Sequence, residues 1–160
     1  MSKAEKTMST EKDYADSYVI EGKLALPYTY FAGRTGSRFI TTIRDEKKIM
    51  GVRCSSCSKT FVPPRQTCEK CMEDLTDSWV ELGNTGTVTN FTVVRYNDGH
   101  LPRKAPFVLA MIKLDKADTP MAHIVEGIDI EKVQKGMKVK AVFSEKTTNT
   151  ILDIDHFEPA

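Results

Sequence analysis

Three observations predict a mainly β protein, in which an N-terminal helical segment and a metal-held module precede a five-stranded barrel. Four cysteines fall into two C-x-x-C pairs, Cys54/Cys57 and Cys68/Cys71. From Trp79 onward the chain breaks into short β-rich runs separated by turn residues. Between the third and fourth of those runs, residues 130–135 suit one or two helical turns ending at Gly136.

The elements follow in order. Residues 1–17 are polar and mixed in charge, with no helical or strand period, and read as a flexible tail. Residues 18–49 read as a helical docking segment. It opens on an apolar and aromatic cluster that includes Tyr18, Leu24, Leu26, Tyr28, Tyr30 and Phe31. The tract Gly33-Arg34-Thr35-Gly36 reads as a break, and Ser37 as the N-cap of an amphipathic helix over about 38–48. Phe39, Ile40 and Ile43 form its narrow apolar stripe. That stripe suits packing against the cysteine module or docking onto another protein.

Residues 50–77 form the cysteine module, with ten residues between its pairs. Zinc prefers four soft ligands in a tetrahedron, and each C-x-x-C turn aims two thiolates at one point. The segment 58–67, stiffened by Phe61, Val62, Pro63 and Pro64, is long enough to return the chain to the metal. Every cysteine of the chain is used, which favours zinc over a redox pair or an iron–sulfur cluster. Four thiolates close the coordination shell, so the predicted Zn(2+) is structural rather than catalytic.

Residues 78–160 hold five predicted strands: 86–95, 107–114, 121–126, 137–144 and 151–157. Three strands, a short helix and two strands is the element order of an OB-fold. A generic five-stranded sandwich is the simpler alternative.

Composition narrows the function classes. The 160 residues carry 23 Lys plus Arg against 22 Asp plus Glu, a net charge of +1, so no bulk field grips nucleic acid or anionic lipid. The apolar runs are too short to span a bilayer, and the N-terminus lacks the apolar core of a signal peptide. A cytoplasmic location is expected, where thiols stay reduced and available to metal.

No catalytic constellation is visible. His100, His123 and His156 are scattered, with His123 and His156 expected on strands as surface or hydrogen-bonded residues. Asp153 and Asp155 alternate on one strand face and look solvated. With all cysteines on metal, no thiol remains for acyl transfer. Local basic residues are more suggestive: Arg34 and Arg38 beside the Gly36-Ser37 break, Arg65 after two prolines, and Arg103-Lys104 in the loop between the first two barrel strands. Such guanidinium groups suit the phosphates of a nucleotide-bearing cofactor. For Arg103 and Lys104, a solvated loop charged for solubility explains the residues equally well.

The run Gly36-Ser37-Arg38-Phe39, then Gly51-Val52-Arg53-Cys54, Phe61-Val62-Pro63-Pro64-Arg65 and Cys68, resembles the zinc-ribbon/OB-fold small-subunit family that accompanies thiolase-like acyl-CoA enzymes. The resemblance covers residues from about 26 to the C-terminus. It implies a larger thiolase-fold partner that carries the catalytic residues, in a heterotetramer or larger hetero-oligomer, with CoA or acyl-CoA as ligand of the complex. Tyr28, Tyr30, Phe31, Arg38 and Phe39 would then meet the partner, and Arg34, Arg65, Arg103 and Lys104 would bind CoA. Two departures stand out: many relatives carry Gly where Ser58 stands and Pro where Glu69 stands. Gly best tolerates the left-handed turn, so Ser58 is expected to strain its knuckle slightly.

Two rival functions find less support in the residues. A nucleic-acid-binding module would need a basic groove with stacking aromatics, and the second and third barrel strands supply only Phe107. A free-standing hydrolase or acyltransferase would need a nucleophile or an open metal position.

Overall fold

The computed structural model describes residues 28–160 continuously, with Lys6–Thr7, Ser17–Tyr18, Gly22 and Leu26 before them. Two compact units result, Met1–Phe31 and Ala32–Ala160. In the first, β1 (Lys6–Thr7) pairs antiparallel with β2 (Ser17–Tyr18), where the sequence predicts no regular element. The remainder of the expected tail, and most of the apolar run 18–27, lie outside the described residues.

The second unit opens with α1 (Gly33–Glu46), which starts five residues earlier than predicted. Gly33 takes a left-handed φ of +74°, so the glycine tract launches the helix instead of breaking it. Ser37 therefore lies inside the helix, where its carbonyl accepts from Thr41 Oγ1 at 3.0 Å. Phe39 and Ile43 are buried in a core shared with the barrel, which gives the apolar stripe an occupant within the chain. Lys47 closes the helix in the left-handed region (φ 54°) and donates to Ser144 O at 2.8 Å.

β3 (Met50–Arg53), β4 (Thr60–Phe61) and β5 (Trp79–Glu81) form the ribbon's sheet in the order β4-β3-β5. Val52 lies opposite both Phe61 and Trp79. The ribbon's sheet thus reaches past residue 77, borrowing a strand from the segment assigned to the barrel. A small core of Val52, Cys54, Phe61, Cys68 and Leu75 sits beneath it.

The barrel consists of β6 (Thr85–Val94), β7 (Phe107–Leu114), β8 (Met121–Val125), β9 (Lys138–Phe143) and β10 (Ile154–Pro159), closed in the order β10-β8-β7-β6-β9. β8 and β10 pair in parallel and the other neighbours are antiparallel, the strand order of an OB-fold. β7 shows the governing pattern: Val108, Ala110, Ile112 and Leu114 point inward, while Leu109 and Met111 face out. The predicted inter-strand helix is a single 3-10 turn, Ile130–Lys132, capped by the Asp129 carboxylate. The predicted fifth strand is divided between a 3-10 turn, Ile151–Asp153, and β10.

The ribbon and barrel are stitched together through the β7–β8 connection. The Thr60 N–H donates to Asp118 Oδ2 and the Val62 N–H to Thr119 Oγ1, both at 2.8 Å. Asp118 N–H and Thr119 Oγ1 return bonds to the carbonyls of Thr60 and Val62. Edge strand β4 therefore satisfies its backbone on the barrel side.

Candidate metal centre and charged surfaces

The two knuckles repeat one local geometry. Cys54 N–H donates to Lys59 O and Cys68 N–H to Glu73 O, each at 2.9 Å. The residue after each second cysteine, Ser58 (φ 60°) and Met72 (φ 57°), is left-handed. The strain expected at Ser58 has its backbone basis here, and Met72 shares it.

All four sulfurs lie within 4.8 Å of one another. Cys57 Sγ and Cys68 Sγ are 3.7 Å apart, too long for a disulfide. A tetrahedron with Zn–S bonds of about 2.3 Å has edges of about 3.8 Å. Four soft donors at that spacing, with Cys54 and Cys68 buried and Cys57 and Cys71 half-buried, fit a structural zinc ion. As free thiols they are unequal. Burial pushes Cys54 up to about 12; burial also raises Cys68, but hydrogen bonds from the N–H groups of Cys71 and Lys70 and from the Cys54 and Cys57 thiols together draw it to about 7. A bound dication stabilises the thiolate at every position.

Glu73 is the supporting residue that motif reading missed. Its carboxylate accepts from Ser55 Oγ, from Ser56 N–H at 3.1 Å and from Cys54 Sγ at 3.1 Å. These donors, Ser55 and Ser56 foremost, hold it down at about 2. The second knuckle's flank thereby braces the first knuckle's turn. Its only sequence signal is the pair of donors Ser55-Ser56 inside the first motif.

The candidate phosphate-binding residues separate. Arg103 is committed internally: Nε bonds Glu126 Oε1 and Nη2 bonds Asp155 Oδ1, both at 2.7 Å, and Nη2 also reaches Asp155 O. Arg103, expected to face a cofactor, is thus engaged by two carboxylates of its own chain, and Asp155, expected as a solvated carboxylate, is partly exposed and ion-paired. His156 Nδ1 lies 2.8 Å from Asp155 Oδ2 and 3.7 Å from Glu126 Oε2. Glu126, Asp155 and His156 group closely enough for a cation, but Arg103 already sits on both carboxylates. Lys104 is exposed, in a loop around a hollow of about 600 Å³. Arg65 pairs with Glu69 at 2.7 Å and stacks over Phe61 at 4.7 Å, so it braces the ribbon. Glu69, one of the departures from the family pattern, thus has a local role with Arg65 and Lys59. Arg34 is exposed at the start of α1.

Of the expected interface residues, Tyr28, Tyr30 and Phe31 are 79%, 75% and 84% exposed. Arg38 is exposed and lies over the Trp79 ring at 4.5 Å. Phe39 is only 4% exposed and belongs to the core, so its ring has no surface to offer a partner. Asp153 is fully buried, with Oδ1 accepting from Thr148 and Oδ2 without a hydrogen bond, against the expectation of solvation. His123 is buried on β8: Nδ1 accepts from Ile124 N–H at 2.9 Å, which leaves Nε2–H to donate to Ile151 O at 3.3 Å.

This fold and donor set define a zinc-ribbon/OB-fold protein. Residues 41–75 match the ChsH2 rubredoxin-like zinc ribbon domain, and residues 79–144 match the ChsH2 C-terminal OB-fold domain. A DUF35 domain-containing scaffold protein of Methanocaldococcus jannaschii is 32% identical over 101 residues, spanning 63% of this chain and 71% of that protein. The chain belongs to the DUF35 family. Two solved structures are similar. A chain of the Ltp2-ChsH2(DUF35) aldolase matches with a TM-score of 0.60 at 23% identity, over 77% of this chain and 92% of that one. A DUF35 protein of unknown function from Sulfolobus solfataricus matches at 0.55 and 27% identity, over 69% and 78%. No helix among the described residues is long and apolar enough to cross a membrane.

Proposed function

We propose that this chain is a non-catalytic, zinc-binding subunit of a thiolase complex that cleaves a 3-oxoacyl-CoA with CoA. The observation that carries the reading is the convergence of all four cysteines on one site. Thioester exchange by a cysteine thiolase needs a free nucleophilic thiol, and zinc ligation commits every thiol of this chain. The nucleophile then belongs to a partner. Two relatives support that division of labour: one is described as a scaffold protein, and the other is part of an aldolase named for Ltp2 and ChsH2 together. In this reading Tyr28, Tyr30, Phe31 and Arg38 carry the docking, because large exposed aromatics and arginine are favoured anchors.

The finer assignment is benzoylsuccinyl-CoA as substrate, cleaved with CoA to benzoyl-CoA and succinyl-CoA, the last β-oxidation step of anaerobic toluene degradation. It rests on the likeness of the Tyr-rich N-terminal portion and the overall run to the small subunit of benzoylsuccinyl-CoA thiolase. Nucleic-acid binding is less well supported. Phe107, the one aromatic of β7 and β8, is 6% exposed and cannot serve as a stacking platform.

Co-purification from the native source tests the reading. A thiolase-fold partner is expected, with CoA-dependent cleavage appearing only when the two chains are mixed. A stable monomer that recruits no thiolase would overturn it. Cleavage of acetoacetyl-CoA but not of benzoylsuccinyl-CoA by the mixture would reject the finer assignment alone.

A further inference from the structure

Each knuckle fixes its own two sulfurs, because a C-x-x-C turn leaves them little freedom. The turns alone do not fix one pair against the other, across the ten residues between them. A tetrahedral ion needs both pairs at once, so a bridge between the knuckles governs how readily the ion escapes. Glu69 and Glu73 both cross that gap. Glu69 meets Lys59 at 3.2 Å, an exposed pair of the kind that contributes little. Glu73 is half-buried and reaches the first turn itself.

Glu73 takes part in both knuckles. Its carbonyl accepts from Cys68 N–H at 2.9 Å, which helps close the second turn. Its carboxylate crosses to the first turn, where three consecutive residues converge on it. Cys54 Sγ and Ser56 N–H each donate to Oε2 at 3.1 Å, and Ser55 Oγ donates to Oε1. A backbone bond on one side and a side-chain clasp on the other make this residue a link between the two pairs.

Zinc ligation removes the Cys54 proton, which leaves Ser55 and Ser56 as the donors to the clasp. The carboxylate's charge does not favour the loaded site, since four thiolates already outweigh the dication. Any benefit must then come from its hydrogen bonds. Partners that orient metal ligands in this way typically contribute about 10–100-fold in metal affinity.

We propose that Glu73 is a latch on the zinc: a positioning residue that holds the Cys54/Cys57 pair against the Cys68/Cys71 pair through Ser55 and Ser56, and so slows release of the ion. A thiolate that lets go is kept within reach by the clasp, and rebinding outruns escape. The latch rests on the zinc reading of the four cysteines.

Full-length, zinc-loaded protein is mixed with excess chromogenic chelator at constant pH, and zinc release is followed in time. Glu73→Ala should release zinc roughly tenfold faster than the parent. Ser55→Ala should be faster by a smaller factor. Combining the two should add little to Glu73→Ala, because Ser55 acts through Glu73. Glu73→Gln should stay close to the parent: its amide oxygen can accept from Ser56 N–H while its NH2 donates to Ser55 Oγ. Glu73→Ala and Glu73→Gln releasing equally fast would make the charge decisive and overturn the latch. Slower release from Glu73→Ala would also overturn it, marking the carboxylate as a ligand that helps the ion leave. If Glu73→Ala fails to fold, Ser55→Ala decides, and release at the parent rate sinks the proposal. A parent purified without zinc overturns the metal centre and the latch together; variants that match a zinc-loaded parent overturn the latch alone.

Discussion

At the level of single residues, Ser58 shows how a knuckle tolerates an imperfect side chain. Its φ of 60° costs an L-residue about 1–2 kcal/mol, part of which glycine would return as unfolded-state entropy. Ser58→Gly is expected to stabilise the zinc-loaded protein by about 0.5–1 kcal/mol, measured as a shift in the urea midpoint. His123 gives a pH-dependent counterpart. Burial lowers its pKa against the raising effect of its bonds to Ile151 and Ile124. The unfolded chain therefore takes up the proton first as pH falls. Stability attributable to His123 is present above the ordinary histidine pKa of about 6.5 and is lost below it, at no more than about 1.4 kcal/mol per pH unit. Urea midpoints between pH 7.5 and 5.5 should slope more steeply in the parent than in His123→Gln, which cancels the contribution of the zinc thiolates. The cysteines were legible because four identical ligands at fixed spacing carry their own geometry. Arg103, Asp153 and Asp155 were not, because their partners are set by where the barrel closes, which local pattern does not encode.

Among the elements, the helix and the ribbon differ in what sets their limits. Periodicity identified Phe39 and Ile43 correctly as one face, yet it missed the helix start, since a left-handed Gly33 can initiate as readily as interrupt. The barrel strands were legible because β7 alternates cleanly and turn residues bound each run. β5 falls in the segment expected to belong to the barrel, where the OB-fold family match also begins, yet its backbone pairs with β3 of the ribbon, a partner that local pattern does not encode. The ribbon's attachment is testable at Thr119, whose hydroxyl both donates to and accepts from the buried Val62 backbone. Thr119→Val leaves the Val62 N–H unpaired and should cost about 2 kcal/mol in denaturant unfolding. Cys57→Ser removes one ligand of a closed tetrahedral site. It should cut the zinc content measured by atomic emission from one ion per chain to a small fraction of that.

Across the whole molecule, closure of the barrel depends on one small residue. Gly86 on β6 pairs with Leu114 on one side and Val139 on the other. A Cβ there would sit 2.7 Å from the Lys113 carbonyl oxygen and 3.1 Å from the Leu114 Cα. Gly86→Ala should destabilise the fold by about 3 kcal/mol, read from thermal or urea unfolding, through backbone displacement at the seam. The stitching between ribbon and barrel has a consequence in time. All the zinc ligands lie within residues 54–71, whereas the partners of Thr60 and Val62 are Asp118 and Thr119, which follow 58 and 57 residues later. Cys71 and Asp118 are 47 residues apart, so at a synthesis rate of about 5–20 residues per second roughly 2–9 s separate the two events on the ribosome. The nascent ribbon can thus capture its metal and fold its knuckles first, and stand as a finished surface onto which the barrel later fastens its own connecting loop.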